Sequence, residues 1–397
     1  MRSGIHPLAL SLSKGCSAWL RRGFDKLSPN GVWAVLMAVA LLGGCASSSK
    51  PKPTPLDPLT PTVTPKQIWN SRIDAVQYPL TVAVVGNAFT LAGSDGSVLA
   101  LDADSGRELW RANAGAKLSA GVGTDGRFAA VVTRDGELIV FEQGQVKWRK
   151  PLSARVTTAP LVAGERVFVV GVDRIVRAFD ALDGRRIWTL QRPSDPLTLA
   201  QAGVLVPFKD TLVVGQGPRM VGVDPTAGTV RWDVPVGSPR GANEIERLAD
   251  LVAPSARVGN LICARSFQAA VGCVDAQRGA TVWSRNIGGT DGVAADAEFV
   301  FAADATDRLT GWKTPSGDVA WTSDKYLYRG MSAPVIFGRS VVYGDVEGTV
   351  HWFARDTGEA QARQTTDGSA IVTAPVVAGS TMLVVTKNGG LYAYRQP

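Results

Sequence analysis

Between Gly96 and Trp110 the chain reads GSVLALDADSGRELW. Small or apolar residues, which alternate with polar ones in copies such as DRIVRAFD (173–180), lead up to an Asp, a tight turn closes on a Gly, and a Trp follows four residues later. Alternation at that period puts successive side chains on opposite faces of a strand, and the Gly supplies the positive φ that a tight turn needs. The stretch therefore predicts two strands joined by a hairpin turn. It returns as AFDALDGRRIW (178–188), GVDPTAGTVRW (222–232), CVDAQRGATVW (273–283) and GWKTPSGDVAW (311–321), with a shortened copy, VFEQGQVKW, ending at Trp148. Counting the entry Trp69, the tryptophans fall at 69, 110, 148, 188, 232, 283 and 321, and WFARDTGEAQA puts Ala362 in the eighth slot.

A period near 40 built from strands is the mark of a β-propeller with four strands per blade. Eight slots predict an all-β fold of eight four-stranded antiparallel blades. The chain ends in GGLYAYRQP, a strand without a following partner, and the repeats begin with QIWNSRI, a strand without a preceding one. Pairing the two would close the ring and remove both open edges. Trp69, Trp110, Trp148, Trp188, Trp232, Trp283 and Trp321 are expected as structural wedges between blades, since an indole buries about 150–250 Å² and these recur with the repeat rather than with any site.

The pattern before the first repeat is different. Arg21, Arg22 and Lys26 precede the apolar run VWAVLMAVALL and then GGCASSSK, the order of a secretory signal. The apolar run is too short for the roughly 20 residues a membrane-spanning helix needs. LGGC (Leu42 to Cys45) resembles the bacterial lipoprotein signal, which implies cleavage before Cys45, acylation (including palmitate) of that residue and, with Ala46 next to it, sorting to the outer membrane. The stretch before Arg21 is long for such a signal, so translation is expected to start after Met1. Residues 1–44 thus read as signal peptide, 45–66 as a lipidated flexible tether rich in Ser, Thr and Pro that cannot pack, and 67–397 as the propeller.

The formal charge of +7 changes little in this picture. Five of the 42 Lys and Arg residues and one of the 35 acids precede Cys45, which leaves +3. No basic block with interleaved aromatics remains, so nucleic acid is not an expected partner. The two histidines are His6 and His351, and no metal-ligand spacing, phosphate loop or activated nucleophile can be assembled. No catalytic residue, metal site or cofactor is expected. Cys263 and Cys273 flank a predicted hairpin at equal distances from its centre; they read either as a cross-strand disulfide or as two reduced buried residues.

Two repeats exceed the period: the 188–232 interval contains SDPLTLAQAG, and the 232–283 interval contains GSPRGANEIERLADLVAP. Both additions follow a wedge Trp, so they should emerge on one face of neighbouring blades. Ile245, Leu248 and Val252 fall at near-helical spacing beside Glu244, Glu246, Arg247 and Asp250, which predicts a short amphipathic turn or two. The alternative is a solvated loop with a small local core.

The repeat itself resembles that of quinoprotein dehydrogenases, which are also eight-bladed. Those enzymes add an adjacent Cys-Cys pair and a calcium site, and this chain has no Cys-Cys, so the competing reading of a periplasmic quinoprotein-like dehydrogenase has the blades without the site. As a whole, from LGGC through GANEIERLADLVAP and GDVEGTVHWFARDTGE, the chain resembles the BamB family, propeller lipoproteins of the outer-membrane β-barrel assembly machinery. The resemblance implies a non-enzymatic scaffold anchored at the outer membrane and facing the periplasm. It would bind the periplasmic domains of the central barrel protein, BamA, and assist assembly of outer-membrane proteins, with unfolded outer-membrane proteins as a second class of partner. The family's partner-binding loops match LTLA and ERLAD, which carries Leu197, Leu199 and Asp250 over to this chain and adds Ile245 and Arg247 from the same loop. After the second leucine the family has Arg where this chain has Ala200, and at the second acid after Arg-Leu this chain has Val252.

Overall fold

The computed structural model describes residues 51–193, 197–239 and 241–396. The signal segment, Cys45 and the first part of the expected tether lie outside the described residues. Thirty-two strands form eight four-stranded antiparallel sheets among those residues. Seven blades each use four consecutive strands, spanning 83–113, 123–151, 161–190, 205–235, 251–285, 294–323 and 335–365. The eighth takes its inner three strands from 376–395 and its outer strand, Lys66–Arg72, from the other end of the chain. Gly390 to Arg395 pair with Arg72 back to Lys66, so the ring closes through its two termini.

The second and third strands of each blade are covered on both faces, and their sequences are correspondingly apolar throughout: Phe128–Val132 is FAAVV and is buried at every position. Phe128, Ala130 and Val132 join a cluster with Val167 and Val169 of the third blade. Ala129 and Val131 face the other way and pack with Ala92 and Val98 of the first. The same division recurs around the ring, so the core consists of clusters seated at blade boundaries.

The outer strands carry the tryptophans, and beside each of them the pairing with the third strand slips by one residue, a bulge that re-aims the side chain. Trp69 Nε1 donates to the Ala103 carbonyl at 2.8 Å, Trp148 to Ala181 at 2.8 Å, Trp188 to Pro225 at 3.0 Å, Trp283 to Thr314 at 2.7 Å and Trp321 to Arg355 at 3.0 Å. Each acceptor belongs to the next blade. The turn glycine is constrained twice: Gly106 has φ +69°, and a Cβ there would lie 2.6 Å from the Trp69 ring. Trp110 lies beside Gly144 and Trp232 covers Gly279, in both cases on the following blade. At the eighth slot, Ala362 pairs with Trp352 of the adjacent strand, and Trp352 packs edge-on against Tyr394 of the closing blade at 5.4 Å. The missing indole is thus supplied from one strand further in.

Cys263 and Cys273 stand directly opposite each other on paired strands and form a disulfide. His351 is fully buried, with Nε2 2.9 Å from Asp345 Oδ2, and burial pulls its pKa below the usual imidazole value.

The Pro-rich segment departs from the expected tether. From Thr54 onward it lies on the propeller: Thr54 N–H donates to Leu327 O, Thr62 N–H donates to Gln361 O, and Leu56 and Val63 pack on the clusters of the seventh blade and its two boundaries. Composition alone underrates it because two well-placed apolar residues and extended prolines suffice to cover a strand edge.

Candidate functional site

In an antiparallel four-stranded blade, the turn between the second and third strands opens on the same face as the link to the next blade. The described parts of the links at 191–204 and 236–250 therefore emerge on one face, together with the turn of the third blade that holds Arg174. These three pieces meet. Arg174 Nη2 donates to Leu197 O at 2.7 Å and to Asp250 Oδ1 at 2.7 Å, while the other carboxylate oxygen of Asp250 accepts from the Leu199 N–H at 2.9 Å.

The ion pair is largely enclosed, with side-chain exposures of 12% for Arg174 and 15% for Asp250. Asp250 is held in turn through its carbonyl, which accepts from Phe267 N–H, and Leu251 N–H donates to Gly217 O. Both loops are therefore pinned by one guanidinium and one carboxylate, each already hydrogen-bonded inside the protein. Asp250 is a fastener of the site and not a free charge on its surface.

Arg174 was not singled out from sequence, yet it carries a local signal. Its φ is +58°, in the turn GVDRI, where the corresponding turns GSDGS, TRDGE and DVEGT place Gly96, Gly136 and Gly348, all at positive φ. A left-handed conformation costs a residue with a Cβ on the order of 1 kcal/mol. A non-Gly residue in that slot marks a side chain that compensates elsewhere.

The second loop forms a single turn rather than a helix. Asn243 Oδ1 accepts from Glu246 N–H at 2.9 Å and the Glu246 carboxylate accepts from Ala242 N–H at 2.7 Å, a reciprocal cap. Arg247 N–H donates to Asn243 O and Leu248 N–H to Ile245 O. Of the predicted apolar stripe, Leu248 is half-buried and Val252 belongs to the core at the start of the fifth blade. Ile245 alone points out, 73% exposed. Leu197 is 38% exposed and Leu199 half-buried. Arg247 is exposed, with no ion pair among the described residues. Ala200 is exposed, and Val252 pairs with Gly203 of the first loop, tying the two loops together at their bases.

At the ring axis on this face, Leu80, Thr81, Gln201, Pro254, Asp291 and Thr373 line a cavity of about 240 Å³. Burial raises the pKa of Asp291 above the usual carboxylate value. Among the described residues, no group of three or more His, Cys, Asp or Glu side chains is placed to hold a metal ion.

The family model described as outer membrane protein assembly factor BamB matches residues 94–323. An outer membrane protein assembly factor BamB from Burkholderia pseudomallei is 34% identical over 368 residues, covering 91% of this chain and 97% of the relative. Among solved structures, BamB from Moraxella catarrhalis superposes with a TM-score of 0.76 at 21% identity, over 84% of this chain and all of that one. A quinohemoprotein alcohol dehydrogenase from Comamonas testosteroni shares the fold at a TM-score of 0.64 and 14% identity, over 83% of this chain and 76% of that chain. On the family model and the sequence relatives together, the chain belongs to the BamB family of outer membrane protein assembly factors.

Proposed function

We propose that the protein is a non-enzymatic scaffold of the outer-membrane β-barrel assembly machinery, anchored through a lipid on Cys45, facing the periplasm, and docking the periplasmic domains of BamA with the loops around Leu197–Leu199 and Ile245–Asp250. The observation that carries this reading is the exposure of Ile245 and Leu197 on loops whose backbones are fixed by the Arg174–Asp250 pair. Apolar anchors on a rigid base, with a charge such as Arg247 at the rim, are the usual makeup of a binding centre. Arg247 takes the role of the rim charge because Asp250 is already committed inside the protein. The non-enzymatic half draws support from the sequence relatives, which are named as assembly factors.

The double substitution Leu197→Asp with Ile245→Asp tests the site. Capture of BamA from solubilised membranes should fall at least tenfold while the urea unfolding midpoint stays within error of the native chain. Undiminished capture would remove these residues from the interface.

A further inference from the structure

Residues 54–65 cross the propeller along a defined path. Thr54 is held at the loop-bearing face: its N–H donates to Leu327 O and its carbonyl accepts from Arg329 Nη1 at 3.0 Å. Arg329 is itself buried against Asp345, at 2.7 Å, and also pairs with Glu347. The chain then passes Arg363, whose Nη1 donates to Asp57 O at 2.6 Å, and reaches Gln361 near the opposite face before entering the outer strand Lys66–Arg72. Leu56 packs on the cluster of Tyr326, Met331 and Phe353, and Val63 on the cluster containing Ala362 and Trp352. The segment thus covers the blade whose outer strand has Ala362 where the others have Trp.

We propose that this segment is a strap that fixes where the N-terminal part of the chain leaves the ring, so that a lipid anchor at Cys45 presents the loop-bearing face to the membrane surface. The proposal rests on the reading that Cys45 is acylated. With the strap docked, only residues 46–53 remain as leash, at most about 29 Å at full extension. Strands of five or six residues make the ring about 20 Å deep, so turning the opposite face to the lipid would consume most of that leash. A free tether reaching from Cys45 to Lys66 would span more than twice as far and would leave either face equally accessible.

The test uses the lipidated chain purified from membranes, with its native disulfide intact, in vesicles of phosphatidylethanolamine and phosphatidylglycerol that carry a headgroup acceptor dye. A donor dye is placed at Asp135→Cys, in a turn of the loop-bearing face, or at Asp183→Cys, in a turn of the opposite face. Energy transfer from position 135 should exceed that from 183 at least twofold, and Leu56→Asp with Val63→Asp should bring the ratio towards one. Equal transfer in the native chain overturns the orientation. Hydrogen exchange on the lipid-free Cys45→Ala chain reads the strap by itself: the Thr54 and Thr62 amides should be protected, and fast exchange at both overturns it. A Cys45→Ala chain that still floats with vesicles overturns the anchor reading, and with it the membrane half of the proposal, while the exchange result still decides the strap.

Discussion

The two faces of the ring differ in how regularly the joints between their blades repeat. On the face opposite the loops, an indole covers a glycine of the next blade and, at five boundaries, donates its N–H to a carbonyl there. On the loop-bearing face no single joint repeats, and three guanidinium groups each make a different one. Arg265, wholly buried, donates to Asp291 O at 2.6 Å, Ile287 O at 3.1 Å and Ala303 O at 2.6 Å. Burial pulls its pKa down to about 10, still well above neutral. Arg174 ties two links to Asp250, and Arg329 ties the strap to Asp345. Within the second-to-third-strand turns of this face the same contrast repeats. Gly96, Gly136, Gly348 and Gly389 fill the left-handed position in four blades, whereas Arg174 and Asp307 fill it in two others. Asp307 reaches across to the amides of Gly330 and Met331. The repeated joint makes the ring; the individual ones shape a surface.

The comparison breaks first at the indoles. Trp283→Ala removes a buried ring and a hydrogen bond to Thr314, and should cost about 4 kcal/mol, the range of large-to-small core substitutions, as a lowered urea midpoint. If the midpoint hardly moved, the wedges would be filler rather than joints. Arg265→Met keeps much of the volume but strips three carbonyls of their donor, that of Ala303 in a buried hydrogen bond and those of Asp291 and Ile287 in partly buried ones. With about 1–3 kcal/mol for each buried polar group left unsatisfied, and with partial relaxation, a loss of about 3 kcal/mol is expected. An unchanged midpoint would show that the loop-face joints contribute nothing to stability.

These magnitudes bear on what sequence could reveal. The wedge residues, the turn glycines and the closure by Lys66–Arg72 are written in the 40-residue period, because each contact is made by the same two positions in successive repeats. The placement of Cys263 opposite Cys273 follows from the hairpin register, which by itself leaves their oxidation open. The loop face is not periodic. Arg174 and Asp250 are 76 residues apart, and nothing in ERLAD says that its acid turns inward. Val252 is the second residue of the core strand Leu251–Val258, a placement that depends on where the link ends. The strap reads as tether in the sequence because Pro and Thr dominate it. Ala362, a small residue in a slot otherwise given to Trp, marks the blade the segment lies on, although Trp352 fills the indole's place there.

The smallest stability effect gives the finest discrimination between the faces. Arg174→Gly restores the residue that the equivalent turns use, which relieves the left-handed strain by on the order of 1 kcal/mol. It also deletes the contacts to Leu197 O and Asp250, an enclosed charge pair whose loss costs a similar or somewhat larger amount. The global midpoint should therefore move by about 1 kcal/mol or less. The loop should respond far more: with its Arg gone, Asp250 no longer fixes the Leu199 amide, and hydrogen exchange at that amide should accelerate at least tenfold while amides of the blade strands keep their native rates. BamA capture should weaken with it, even though neither Leu197 nor Ile245 has been altered. Native exchange at Leu199 in this variant would mean that the loop holds its shape without the pair, and that Arg174 occupies a glycine's position for a reason other than the site.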